Sequence, residues 1–245
     1  MFTSDLLSAK RILVTGGGTG LGKSMSRRFL ELGASVVICG RRQNVLEETA
    51  TQLASEFPGQ IAWYVCDIRD ANQVDSTVET IWAAGALDAL VNNAAGNFIA
   101  PSETLSPRAM DAILGIVMHG SAYMTLACGK RWLAKGQPAT VLSILTTYAW
   151  TGSAYVVPSA MAKAGVLAMT RSLAVEWGGR GVRLNAIAPG PFPTPVHGSG
   201  SFPLRSSRAN SRPATRSAVP GTTASSPTSR AFCSPMIPAT SMGKS

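Results

Sequence analysis

"RILVTGGGTGLGKSMSRRFLELG", residues 11–33, decides the fold. Its first part is a short run of apolar and β-branched residues ending in glycines, and its second part places Leu21, Met25, Phe29 and Leu32 at helical spacing. The stretch therefore reads as strand, tight turn and helix. The unit then recurs along the chain. "SVVICG" (35–40) precedes "NVLEETATQLASEF", and "IAWYVCD" (61–67) precedes "NQVDSTVETIWAA". "LDALVNNAAG" (87–96) precedes a long helical stretch near 107–134, and "ATVLSIL" (139–145) precedes a helix over 157–177 with Pro158 in its first turn. "VRLNAIAP" (182–189) is a further strand. Strands alternating with helices pair in parallel through right-handed crossovers, which predicts an α/β fold with a doubly wound parallel sheet in a single domain.

The 245 residues suffice for one substantial core. No run of consecutive apolar residues approaches the roughly 18–20 that a membrane span needs, so no membrane association is expected. The N-terminus has no long apolar segment before the first strand, and a cytoplasmic location is expected. Cys39, Cys66, Cys128 and Cys233 form no Cys-x-x-Cys pair, and His119 and His197 have no ligand at metal spacing, so no metal site is expected.

The net charge of +9 is unevenly placed. All 13 acidic residues lie at or before Glu176, whereas six cations (Arg205, Arg208, Arg212, Arg216, Arg230, Lys244) follow residue 197. The first 197 residues thus carry a net +3, an ordinary surface charge that gives no reason to expect nucleic acid as a partner. From Gly198 on, acids are absent and Ser, Pro, Thr and Arg crowd the chain, a composition that cannot build a core strand and is expected to be disordered.

"TGGGTGLG" (15–22) lies between a strand and a helix, where glycines permit a tight turn and let a pyrophosphate approach the helix N-terminus. Gly16, Gly18, Thr19, Gly20, Leu21 and Gly22 are the candidate cradle. After the second strand, where a carboxylate would accept from an adenosine ribose, stand Arg41 and Arg42. Guanidinium groups match a 2′-phosphate, so NADPH is expected rather than NADH.

With "TGGGTGLG", "CDIRD" (66–70), "NNAAG" (92–96), Lys163 and "PGPFPT" (189–194), the chain resembles the short-chain dehydrogenase/reductase family over residues 8–197. The resemblance implies a Rossmann fold and an NADP-binding domain over those residues. It also implies roles for single positions: Asp67 and Ile68 at the adenine, Asn93 and Ala94 supporting the cofactor, and Pro189, Gly190, Pro191, Phe192 and Thr194 at the nicotinamide end. Two positions depart from the family pattern, since Ser159 stands where a tyrosine is usual and His119 where an asparagine is common.

A serine is a poor proton donor to an alkoxide, which argues against ordinary carbonyl reduction. "NNAAGNF", a tyrosine eleven positions before a Ser-x-x-x-Lys, and "VVPSA" resemble the 2,4-dienoyl-CoA reductases, which implies NADPH-dependent reduction of an acyl-CoA in fatty-acid β-oxidation. Tyr148 and Asn97 would then hydrogen-bond the thioester oxygen, Lys163 the nicotinamide ribose, and Ser159 would orient the network. The same resemblance implies Arg69, Phe98 and Asn97 at the substrate, with Ser106 and Thr146 weaker candidates. Two further readings of Arg69 and Tyr155 need no ligand: a salt bridge from Arg69 to Asp70 or a neighbour, and aromatic packing for Tyr155 in the approach to the helix. The alternatives are a short-chain carbonyl or 3-oxoacyl-thioester reductase, and an NADP-binding remnant without turnover.

The family chain continues past "PGPFPT" into a substrate cover and a last strand, and residues 198–245 show no such pattern. Reading plausible codons for "TASSPTSRAFCSPMIPATSMGK" one base out of register gives "GELANLA" and "DDSGYINGE", so a frameshift near His197 is expected. A homo-oligomer is the family expectation, and loss of that strand would remove part of its basis.

Overall fold

The computed structural model describes residues 3–190. The alternation read from the sequence is realised as β1 (Arg11–Thr15), α1 (Gly20–Glu31), β2 (Ser35–Gly40), α2 (Gln43–Glu56), β3 (Ile61–Val65), α3 (Ala71–Ala83) and β4 (Ala89–Asn92). There follow α4 (Pro107–Leu114), α5 (Gly120–Lys135), β5 (Ala139–Ile144), α6 (Tyr148–Thr151), α7 (Val157–Gly178) and β6 (Val182–Ile187). All strand pairs are parallel, in the order β3-β2-β1-β4-β5-β6. Chain order reverses between β1 and β4, and at such a switch point a crevice opens beyond the carboxyl ends of the strands.

The sheet is buried on both faces, which is why its strands are continuous apolar runs rather than alternating ones. One face meets Leu13, Val37, Leu90 and Val141 with Val78 and Ile81 of α3 and Met124, Cys128 and Trp132 of α5. The other packs Val14, Val36 and Ile38 with Leu30 of α1 and Leu46 and Leu53 of α2. Trp132 is fully buried, and its indole donates to the Leu87 carbonyl at 2.6 Å, so its polar end is satisfied inside the core. A third cluster (Ile113, Val117, Leu145, Ala162 and Val166) joins α4, the end of β5 and α7 below the candidate site.

Two local features differ from the sequence reading. The long helical stretch over 107–134 is interrupted by a π turn over Gly115–His119. Gly120 directly after it sits against the Ile68 side chain, and a Cβ there would meet Ile68 Cγ1 and Cδ1 at 2.6 Å. The extra residue in the turn re-aims the helix to allow this approach. Second, Pro107–Lys135 is long and apolar enough to cross a membrane by length and composition alone, contrary to the expectation that no such stretch exists. In this fold half of its most apolar window is buried, as for a core helix.

Candidate functional site

The candidate residues gather at the carboxyl ends of the strands. At the end of β1, Gly16 has φ +64°, and a Cβ would meet Ala94 Cα at 2.9 Å. At Gly22 a Cβ would run into the Gly16 carbonyl oxygen and Asn93 Nδ2. Only glycine fits either position, so the turn is held tight against α1. Gly20, with φ +52°, has open space where its side chain would be. Thr19 precedes α1 without a side-chain cap, and the first turn of that helix carries no acid. A helix N-terminus with free N–H groups and no competing anion is what a pyrophosphate requires, and these residues fit a dinucleotide. Gly18 is buried, and Leu21 packs partly on the core below the turn.

The turn is braced from the ends of β1 and β4. The Thr15 hydroxyl accepts from the Asn93 and Ala94 N–H groups, both at 3.0 Å, and Asn93 Nδ2 donates to the carbonyls of Thr15 at 3.0 Å and Gly16 at 3.3 Å. Asn93 therefore supports the cofactor turn from below. Thr15 was not singled out from the sequence, and neither was Thr49, whose hydroxyl donates to Gly18 O at 2.7 Å. Both could have been found only from the sheet order, which places β4 and α2 beside the turn.

Arg41 and Arg42 follow β2, both exposed, and neither pairs with a carboxylate among the described residues. Arg42 caps α2 through its backbone position only. Ile68 is buried under the π turn and Asp67 is half-buried. The Arg69 guanidinium on its carboxylate is the first cause that holds Asp67 below the usual carboxylate range, and Arg41 adds to it. Of the two carboxylates within reach of Arg69, Asp70 is otherwise engaged: it caps α3, accepting from the N–H groups of Asn72 at 2.9 Å and Gln73 at 3.2 Å. Arg69 bonds Asp67 instead. Ser106 is likewise a cap, its hydroxyl accepting from Ala109 N–H at 3.2 Å at the start of α4.

The centre of the site lies between β5 and α7. Tyr148 is the first residue of the one-turn helix α6, beyond the strand end rather than on it. Its hydroxyl lies 3.0 Å from that of Ser159. Ser159 and Lys163 stand one turn apart on α7, 3% and 6% exposed. Lys163 Nζ donates to the Ile144 carbonyl at the end of β5, and burial pulls its ammonium down to about 8 from 10.5. A buried amine held at a strand end is a cation placed at cost, as expected of a functional group. The Thr146 hydroxyl, next to this group, is buried without a partner among the described residues.

Asn97 is exposed in the loop after β4 and makes no side-chain hydrogen bond among the described residues. That loop is tied to the entry of α7 by the Ala100 N–H, which donates to the Tyr155 carbonyl at 3.1 Å. Phe98 packs partly on the cluster that includes Leu145 and Ala162. Tyr155 does not have the packing role expected of it: its φ is +66° and it is 51% exposed. The left-handed backbone turns the chain sharply into α7 and leaves the ring outside. His119 ends the π turn, exposed, with its ring 6.1 Å from that of Tyr123. Pro189 and Gly190 follow β6, while Pro191, Phe192, Thr194 and the tail from residue 198 lie outside the described residues.

Residues 10–201 match the model of the short chain dehydrogenase family. The chain belongs to that family. Short chain dehydrogenases bind a nicotinamide cofactor, and the turn at Gly16–Gly22 is placed for one. A Bacillus subtilis relative named "Probable 2,4-dienoyl-CoA reductase" is 45% identical over 188 residues, 76% of this chain and 74% of that protein. Against three Caenorhabditis elegans relatives, 44–47% identical, the chain spans 60–62% of their length. A crystal structure of a short chain dehydrogenase from Bacillus anthracis is 46% identical, with a TM-score of 0.72, over 74% of this chain and 76% of that one. A gluconate 5-dehydrogenase from Burkholderia cenocepacia, solved with NADP and tartrate, has a TM-score of 0.72 at 27% identity, over 76% of this chain and 73% of that one.

Proposed function

We propose that the chain reduces 2,4-dienoyl-CoA thioesters to enoyl-CoA with NADPH, a step in fatty-acid β-oxidation. The observation that carries this reading is the Tyr148 hydroxyl 3.0 Å from Ser159, one helical turn from the buried Lys163. The relatives named as dienoyl-CoA reductases support the same reading. Bound at the Gly16–Gly22 turn, the nicotinamide cofactor supplies a hydride. Addition at the far end of a conjugated thioester moves negative charge onto the thioester oxygen, and a proton from water then adds to carbon of the dienolate to give the enoyl-CoA. A donor aimed at that oxygen stabilises the charge where it develops, and the Tyr148 phenol with the Asn97 amide is assigned that task. Ser159 takes one side of the Tyr148 hydroxyl and orients it. Lys163 holds the nicotinamide ribose, and its positive charge favours the electron-rich transition state. Arg41 and Arg42 hold the 2′-phosphate and so select NADPH. Arg69, Phe98 and Ser106 are assigned to the CoA-linked substrate, Ser106 chiefly by setting the start of α4. Domain 8–197 carries these roles, and residues 198–245 are read as out of frame, which sequencing the gene around codons 195–200 tests directly.

The assay follows NADPH absorbance with 2,4-hexadienoyl-CoA and, in parallel, with acetoacetyl-CoA. Tyr148→Phe should lower kcat on the dienoyl substrate by about 10²–10³, the scale of one lost oxyanion donor. Ser159→Ala, which leaves the phenol in place, should cost less. Turnover of the ketone alone would overturn the assignment in favour of a 3-oxoacyl-thioester reductase. Silence on both substrates, with NADPH still raising the Tm, would leave a cofactor-binding protein without turnover.

A further inference from the structure

The loop after β3 carries two residues assigned to different ligands: Asp67 to the cofactor's adenine and Arg69 to the CoA-linked substrate. The structure joins them. Arg69 Nε donates to Asp67 Oδ1 at 2.9 Å and Oδ2 at 3.0 Å, Nη2 donates to Oδ2, and the Arg69 backbone N–H donates to Oδ1 at 3.1 Å. A carboxylate offers about four acceptor positions, so little capacity is left for an exocyclic amine while this pair stands. The stem of Arg69 crosses the start of the π turn, where a Cβ on Gly115 would meet its Cγ and Cδ at 3.7 Å. The pair forms one side of a shallow cavity, open to solvent and about 510 Å³ in volume, whose other side is the start of α4. Arg108 and Asp111 face it from that side and Asp70 from the first. Asp70 is committed to the α3 N-terminus, and Arg108 pairs with no carboxylate among the described residues.

We propose that the Asp67–Arg69 ion pair is a latch coupling the two ligands: adenine taking up Asp67 releases the Arg69 guanidinium into the cavity, where with Arg108 it meets the phosphates of the CoA handle. This rests on the acyl-CoA reading above. In the free protein each residue masks the other, so each ligand pays for breaking the pair unless the other has already done so. The coupling is therefore positive and reciprocal. Its size is set by an exposed ion pair, about two- to fivefold in affinity.

The test is calorimetric titration of unacylated CoA, which cannot turn over, into the full chain with and without saturating NADPH. NADPH should tighten CoA binding about two- to fivefold, and CoA should tighten NADPH by the same factor. The variants move in opposite directions. Asp67→Asn should bind CoA more tightly than wild type in the absence of NADPH, and Arg69→Ala should lose CoA affinity without losing NADPH affinity. Coupling should be absent in both. CoA affinity unchanged by NADPH in the wild type, or coupling that survives in Asp67→Asn, overturns the latch and leaves the acyl-CoA reading standing. Failure of any form to bind CoA overturns that reading and the latch with it.

Discussion

Replacing Lys163 by methionine should make the protein more stable at neutral pH while abolishing turnover. The ammonium is 6% exposed, and burial brings it to about 8 from its ordinary 10.5. At about 1.4 kcal/mol per pH unit, holding it charged at pH 7 costs about 3 kcal/mol. Methionine removes that cost but leaves the Ile144 carbonyl without its donor, a loss of about 1–2 kcal/mol. The net expectation is a gain of about 1–2 kcal/mol, or a few degrees in Tm at about 2–4 °C per kcal/mol. The pH dependence makes the test specific. Between about 8 and 10.5 the unfolded chain keeps a proton on this lysine that the folded chain has lost. Wild-type stability from this group therefore rises as pH increases through that window and is flat below it. Cys39, Cys66 and Cys128, whose thiols burial pushes up, act in the opposite sense, losing stability as pH rises past the unfolded thiol value. They are common to both proteins and cancel in the difference. Urea unfolding at pH 7 and pH 10, followed by tryptophan fluorescence, should show the methionine advantage shrinking by about 2–3 kcal/mol and changing sign. A methionine variant less stable than wild type at pH 7, with parallel pH profiles, would refute the reasoning.

Three further outcomes are expected. Gly22→Ala forces a methyl against the Gly16 carbonyl and Asn93 Nδ2, so it should cost about 1–3 kcal/mol of stability and erase the NADPH-induced rise in Tm. Arg41→Ala with Arg42→Ala should weaken NADPH binding by about tenfold or more, as for lost charged hydrogen bonds, and leave NADH binding nearly unchanged. Equal losses for both cofactors, measured by fluorescence titration, would place the 2′-phosphate elsewhere. Thr15→Val removes the hydroxyl that accepts from Asn93 and Ala94, and should destabilise by about 1–2 kcal/mol in thermal unfolding, because two half-buried N–H groups lose their partner.

What could be read from the sequence follows the range of the interactions involved. The strand and helix order was legible because periodicity is local, and the parallel sheet followed because crossovers have one hand. Ser159 and Lys163 could be paired from sequence because four residues on a helix are neighbours. The contact of Tyr148 with Ser159 depends on the one-turn helix α6, which the sequence does not signal, four residues being too few for periodicity to register. The pairing of Arg69 was open for the opposite reason. Asp67 and Asp70 are both within reach along the chain, and only the start of α3 decides between them by claiming Asp70 as its cap. Tyr155 was misread because an aromatic residue before a helix ordinarily packs, whereas here the backbone must turn left-handed to deliver Val156 to the core.

The π turn is the one departure that bears on the site itself. It goes with a contact far apart in sequence, Gly120 against Ile68, which no periodicity within 107–134 encodes. That contact links the loop holding Asp67 and Arg69 to the helix that carries Arg108 and His119. A change at Gly120 would therefore act on the Asp67–Arg69 side of the site without touching Tyr148, Ser159 or Lys163. Gly120→Ala should raise KM for both NADPH and the thioester while kcat stays close to wild type. A fall in kcat at unchanged KM would mean that the turn supports the Tyr148 side instead.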